Sequence, residues 1–218
     1  MPGIASLNDS DLPVAASALY TGVRDTPEIL ALLADYGYTT ADADAGLDLV
    51  ESAEDEAAEQ TAEYAEQYAA TAAAHTAVAT LEAGFVRLRR LARIKYPRGS
   101  DAYRALGLAG RLSTRAPGIL AAAGTFYRAA DANPKLLDDI RGIDKADIDD
   151  GLARLDAART ALDTQSRETG EAQQATAEAI AARVRLRAHA SEMARTATVA
   201  LDGRPQLRES LGLLERGS

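Results

Sequence analysis

At 218 residues and without a cysteine, the chain is long enough to bury one large core or two small ones without disulfides, and thiolate zinc sites and cysteine nucleophiles are excluded. A formal charge of −9 argues against general binding to nucleic acid or anionic lipid, while leaving room for a local basic patch. No stretch approaches the roughly 18 uncharged apolar residues of a membrane span, and Asp9 and Asp11 follow a start that lacks the basic and apolar regions of a signal peptide, so a cytoplasmic protein is expected.

Alanine is abundant, with Leu, Glu, Gln and Arg behind it, so helix is the default reading throughout. The first helix is expected over 12–24. Thr26 is placed to cap a short second helix with Pro27 in its first turn, and Gly37 stops that helix near Tyr36. Thr39 or Thr40 then caps a third helix, with Asp42 and Asp44 in the first turn where the macrodipole favours acid. From 40 to 96 there is no proline, and the only glycines are Gly46 and Gly84. That permits a single helix of about 50 residues, roughly 75 Å long at 1.5 Å per residue, or a hairpin without turn residues; the missing breakers favour the single helix. Pro97-Arg98-Gly99 ends it, and a last short helix leads to Leu106-Gly107-Leu108.

After a linker around 109–118, marked by Gly110, Ser113, Thr114, Pro117 and Gly118, the same grammar returns. Asn133 precedes Pro134, Gly142 stops a short helix, Asp144 takes the cap position, 144–201 is interrupted only by Gly151 and Gly170, and Gly203-Arg204-Pro205 ends it. Ala41, Asp42, Asp44, Gly46 and Leu47 line up with Ala146, Asp147, Asp149, Gly151 and Leu152 at an offset of 105, as does Leu106-Gly107-Leu108 with Leu211-Gly212-Leu213. Upstream, Tyr20 and Pro27 match Tyr127 and Pro134 at 107. The expected architecture is all-α: two tandem helical repeats of about 105 residues, 1–110 and 111–218, packed as one domain with pseudo-two-fold symmetry, long antiparallel helices forming a bundle and short helices at its ends.

Leu47, Val50, Ala57, Tyr64, Tyr68, Val78, Phe85, Leu88 and Ala92 make one narrow apolar stripe on the first long helix, and Ala172, Ala175 and Ala179 a thinner one on the second. Such helices need a partner to cover the seam. The first long helix is acidic early, from Asp42 to Glu66, and basic late; the second repeats this more weakly. Antiparallel pairing sets acid beside base, whereas parallel pairing opposes like charges.

The strongest candidate site is the cluster Arg87, Arg89, Arg90, Arg93 and Lys95, extended by Arg98 and Arg104, with Arg183, Arg185 and Arg187 as its counterpart; such clusters neutralise phosphate or another anion. The plainer reading pairs these arginines with carboxylates across the bundle. Asp42 to Gly46 and Asp147 to Gly151 fail the spacing of a calcium loop and read as helix-start acids. His75 and His189 occupy unmatched positions and lack a Glu-x-x-His spacing, so no metal site is expected. The pairs Tyr64 and Tyr68, and Tyr20 and Tyr127, read as core fillers with a polar tip. No catalytic set and no cofactor motif is present, so the expected role is structural or protein-interacting and non-enzymatic, as a homo-oligomer or with a protein partner, and without nucleic acid or membrane. The alternative is a small-molecule or anion-binding bundle using the two arginine clusters.

Overall fold

The computed structural model describes residues 4–138 and 140–213. After a 3-10 turn at Ile4–Ser6, the helices are α1 (Leu12–Asp25), α2 (Pro27–Ala34), α3 (Thr40–Lys95), α4 (Asp101–Ala105), α5 (Ala116–Ala132), α6 (Lys135–Asp138), α7 (Lys145–Ala200) and α8 (Pro205–Ser210). Among the described residues there is no strand, and no helix is long and apolar enough to cross a membrane. Both long segments are single helices of 56 residues rather than hairpins.

Two compact units divide the chain. Unit 1 comprises Met1–Tyr64 and Glu171–Ser218, and unit 2 comprises Ala65–Gly170. Each therefore combines the first half of one long helix with the second half of the other. Each also has its own core. Leu12, Leu19, Tyr20, Ile29 and Leu33 meet Leu186, Met193 and Leu201 in unit 1, while Leu81, Phe85, Leu88, Phe126, Tyr127 and Leu155 gather in unit 2. Within each unit the long helices run antiparallel. In unit 1 Asp42 shares a cleft with His189 and Glu192, while Gln60 bonds Thr176; in unit 2 Thr71 bonds Gln165, while Arg87 reaches Asp147. In both, the numbering rises on one helix as it falls on the other.

The starts and stops follow local chemistry. Asp144 accepts from the Asp147 N–H at 3.0 Å, and Asp147 accepts from the Asp144 N–H at 3.1 Å, a reciprocal capping box that opens α7. At α3, Asp42 accepts from both the N–H and the hydroxyl of Thr39 at 2.7 Å. Thr26 makes no side-chain cap on α2; Pro27 at the first turn already removes one donor that a cap would satisfy. Ser100, not singled out from the sequence, caps α4 by accepting from the Tyr103 N–H.

The two Leu-Gly-Leu segments are helix stops of one kind. Gly107 and Gly212 take φ of +64° and +70°. Leu108 donates to Tyr103 O and Leu213 to Arg208 O, while each glycine N–H closes the inner ring, onto Arg104 O and Glu209 O. This is the Schellman pattern, in which a left-handed residue satisfies the last carbonyls of the helix.

Tyr64 and Tyr68 depart from their expected role as core fillers, with 40% and 73% of their surface exposed. In unit 1 the seam beside Tyr64 is built from Ala172, Ala175 and Ala179, all buried. Such small side chains let helices approach too closely to admit a ring, so the Tyr64 hydroxyl instead meets Thr176 Oγ1 at 3.1 Å on the surface.

Candidate functional site

The arginines singled out from the sequence fall in different units, Arg87 to Lys95 in unit 2 and Arg183 to Arg187 in unit 1. In unit 2 most of their heads are engaged within the protein. Arg89, with 8% of its surface exposed, donates from Nη2 to Leu108, Ala109 and Gly110 carbonyls at 3.0–3.3 Å. Arg93 donates from Nε to Leu108 O at 3.0 Å and from Nη2 to Gly110 O at 2.7 Å. The pair thus fastens the backbone that leaves α4. Burial, with the neighbouring Arg93 charge adding to it, holds the Arg89 guanidinium below its ordinary pKa. Arg87 pairs with Asp147, so one carboxylate both caps α7 and meets a cation from α3. Arg90, Lys95 and Arg98 are exposed, and Arg104 bonds Asp101 on its own helix.

In unit 1, Arg187 donates to Leu7 O at 2.7 Å and to Asp9 Oδ1 at 2.8 Å, and Arg183 lies 3.9 Å from Asp9 Oδ2. These two heads tie the segment before α1 onto α7. Arg185 is exposed.

The paired tyrosines explain Gly46 and Gly151. A Cβ on Gly46 would overlap the ring of Tyr20, and one on Gly151 the ring of Tyr127, so each glycine leaves room for a tyrosine to lie against a long helix. Their hydroxyls differ in surroundings. Tyr20 OH is 2.8 Å from His189 Nδ1, and burial, then the Tyr38 charge, raises its pKa well above the usual phenol value. Tyr127 packs edge-on to Phe126, its ring centroid 5.5 Å away, and burial pushes its pKa up to about 12. His75 is exposed. His189 opens onto a small polar cleft of about 280 Å³ with Tyr36, Tyr38, Asp42 and Glu192. Asp42 is committed to Thr39 there, whose hydroxyl and N–H, in that order, hold its carboxyl below the usual range.

The larger concavity of unit 1 was not read from the sequence. A groove of about 960 Å³ lies between α1 and the second half of α7, with residues of 4–7 and 208–213 also lining it. Its α1 wall presents Val14, Ala15 and Ala18, with Asp11 just before the helix; its α7 wall includes Val184, Ala188, Ser191, Arg195 and Thr198. Both sets step by three and four, the spacing of a helix face built to meet another helix. Val14 and Val184 are 71% and 60% exposed, large values for apolar side chains facing a concavity. The signal was available: each row flanks the buried stripe of its own helix, Leu12, Ala16 and Leu19 on α1, and Leu186, Ala190 and Met193 on α7, so the apolar arc is wider than one neighbour can cover.

Two polar atoms of residues lining this groove, Ser191 Oγ and Arg208 Nε, are buried without a hydrogen-bond partner. The chain matches no protein-family model, no curated protein and no solved structure.

Proposed function

We propose that this chain is a non-enzymatic interaction protein that receives a helix of a protein partner in the groove of unit 1. The observation that carries the reading is the pair of facing walls, each a helical row at steps of three and four that carries an exposed valine. Helix-in-groove recognition uses this arrangement: an amphipathic helix lays an i, i+3, i+4, i+7 face against a preformed apolar channel. From Val184 to Thr198 the wall is about four turns long, roughly 21 Å, a length a partner helix can follow. The alternative, anion binding by the two arginine clusters, draws less support, because the heads of Arg87, Arg89, Arg93, Arg183 and Arg187 are engaged with carbonyls and carboxylates of the protein.

The same reading treats 1–110 and 111–218 as two copies of one duplicated half, each compact unit being assembled from parts of both. Tyrosine over glycine, the capping carboxylate at α3 and α7, and the left-handed glycine closing α4 and α8 all fall at matching sequence positions, which supports duplication.

Selection from a displayed library of helical peptides tests the interaction role. Enriched sequences should carry apolar residues at steps of three and four, and should lose binding to Val14→Asp and Val184→Asp proteins that melt like the parent. Enrichment without that pattern, or binding that survives both substitutions, would contradict it.

A further inference from the structure

We infer that the arginines around the 108–110 backbone in unit 2 of one copy bind the acidic face of α3 in unit 1 of a second copy. Neither surface lines the groove.

Charge is sorted along this chain. No lysine or arginine lies between Arg24 and Arg87, and between Glu82 and Asp131 the only acid is Asp101, which is paired with Arg104. On the acidic side, Asp48, Glu51, Asp55 and Glu59 are exposed, and among the described residues their carboxylates make no hydrogen bond or ion pair. At about 100° per residue they fall within an arc of about 80° on α3, over about 16 Å, with the buried Gly46, Val50 and Ala53 on the opposite side. Glu51 and Asp55, and Asp55 and Glu59, are like charges four residues apart, an arrangement that weakens a helix. Facing cations from another molecule relieve that repulsion.

The basic side is built by the fastening of the linker. Arg93 Nη2 reaches Gly110 O, which brings the next residue, Arg111, beside this stretch of α3. Arg90 lies three residues before Arg93 on the same face, and Arg115 ends the linker as the N-cap residue of α5. Arg90, Arg111 and Arg115 are exposed, and among the described residues their guanidiniums make no hydrogen bond or ion pair. Arg89 and Arg93 are held by carbonyls, which orient their heads without cancelling their charge. These guanidiniums thus gather with no carboxylate among their partners.

The complement to this patch is carried by the chain itself. A nucleic acid or another acidic protein would cover the arginines and leave the carboxylate row as it is, whereas a second copy supplies counter-charge to both surfaces. Two copies of charge −9 repel at a distance, but at physiological ionic strength the Debye length is about 8 Å, so the facing groups decide. Each exposed pair contributes little, so the contact needs several pairs acting together and is weak and reversible.

Sedimentation equilibrium on the full chain at up to about 1 mM, enough to populate a contact of millimolar affinity, tests this. Association should be present in about 0.15 M salt and about tenfold weaker or more in about 1 M salt, where the Debye length is about 3 Å. One triple variant, Arg90→Glu, Arg111→Glu and Arg115→Glu, and a second, Glu51→Arg, Asp55→Arg and Glu59→Arg, should each weaken it about a hundredfold or more while melting like the parent. Mixed in equal amounts the two variants should associate again, because each then offers the charge that the other lacks. A parent that stays monomeric, association that salt or either triple variant leaves unchanged, or variants that fail to recover on mixing would overturn the proposal. Association abolished by Val184→Asp would overturn it too, since the groove would then hold the second copy. The helix-in-groove reading survives every one of the other results and stands or falls on its peptide selection.

Discussion

The two units hold their chain in place by different means. At the offset of 105, Ala194 and Thr198 of unit 1 match Arg89 and Arg93 of unit 2. In unit 2 those arginines grip the carbonyls of 108–110 and hold the outgoing backbone against α3. In unit 1 the smaller pair lines the open groove. The cores diverge in the same sense, with Phe85 and Phe126 of unit 2 matching Ala190 and Leu19 of unit 1. Unit 2 spends its side chains on filling and fastening, whereas unit 1 keeps small side chains beside exposed valines. The face between α1 and α7 is left as an open groove in unit 1.

That contrast breaks most visibly at the aromatic cluster. Tyr127→Ala removes a buried ring from contact with Phe85 and Phe126, and should cost about 3–5 kcal/mol in urea unfolding. Gly151→Val should also destabilise, by about 1–3 kcal/mol, because the new side chain meets the same ring; Tyr127→Leu in that background should recover part of the loss.

Next comes the fastening. Arg89→Leu takes a buried guanidinium from the carbonyls of 108–110, of which Leu108 and Gly110 still accept from Arg93, and should cost about 1–2 kcal/mol. Exchange of the amides at 111–115 should quicken with it. An unchanged melting curve would mean the linker is held by its own turns alone.

Much of the fold could be read from the sequence because its determinants are local. Proline at a first turn, a capping aspartate three residues from its partner, and glycine at a left-handed stop each act within a few residues, so helix ends came out close to where they lie. The two long helices followed from an absence of breakers. Local signals did not decide what lies beside a helix face. Tyr64 and Tyr68 stand at helical spacing with core residues yet are exposed; beside Tyr64 the facing alanines bring the helices too close for a ring. The groove was missed for a related reason. Clustered arginines attract attention in a sequence, while the carbonyls they satisfy are invisible there, and the groove depends on two walls about 170 residues apart in the chain.

Smaller effects sharpen the comparison of the two tyrosines. Tyr20→Phe removes the bond to His189 Nδ1 and should cost about 0.5–1.5 kcal/mol, while Tyr127→Phe should be nearly neutral near pH 7. In alkali the sign is set by burial. The folded Tyr127 phenol keeps its proton up to about 12, above the ordinary value of 10.0, so its contribution is complete below pH 10 and is lost as pH rises towards 12. Tyr127→Phe should therefore resist alkaline unfolding better than the parent. Smallest of all, Asp144→Ala opens the capping box of α7 at an exposed end and should cost about 0.5 kcal/mol.

The most direct test of the central claim is to titrate the isotopically labelled full chain with a helical peptide enriched in that selection and follow its amide resonances. The groove account predicts saturable shifts at Val14, Ala18, Val184, Ser191 and Arg195, with the amides around Phe85, Phe126 and Tyr127 unmoved. Shifts centred on the unit 2 cluster, or none at saturating peptide, would contradict it.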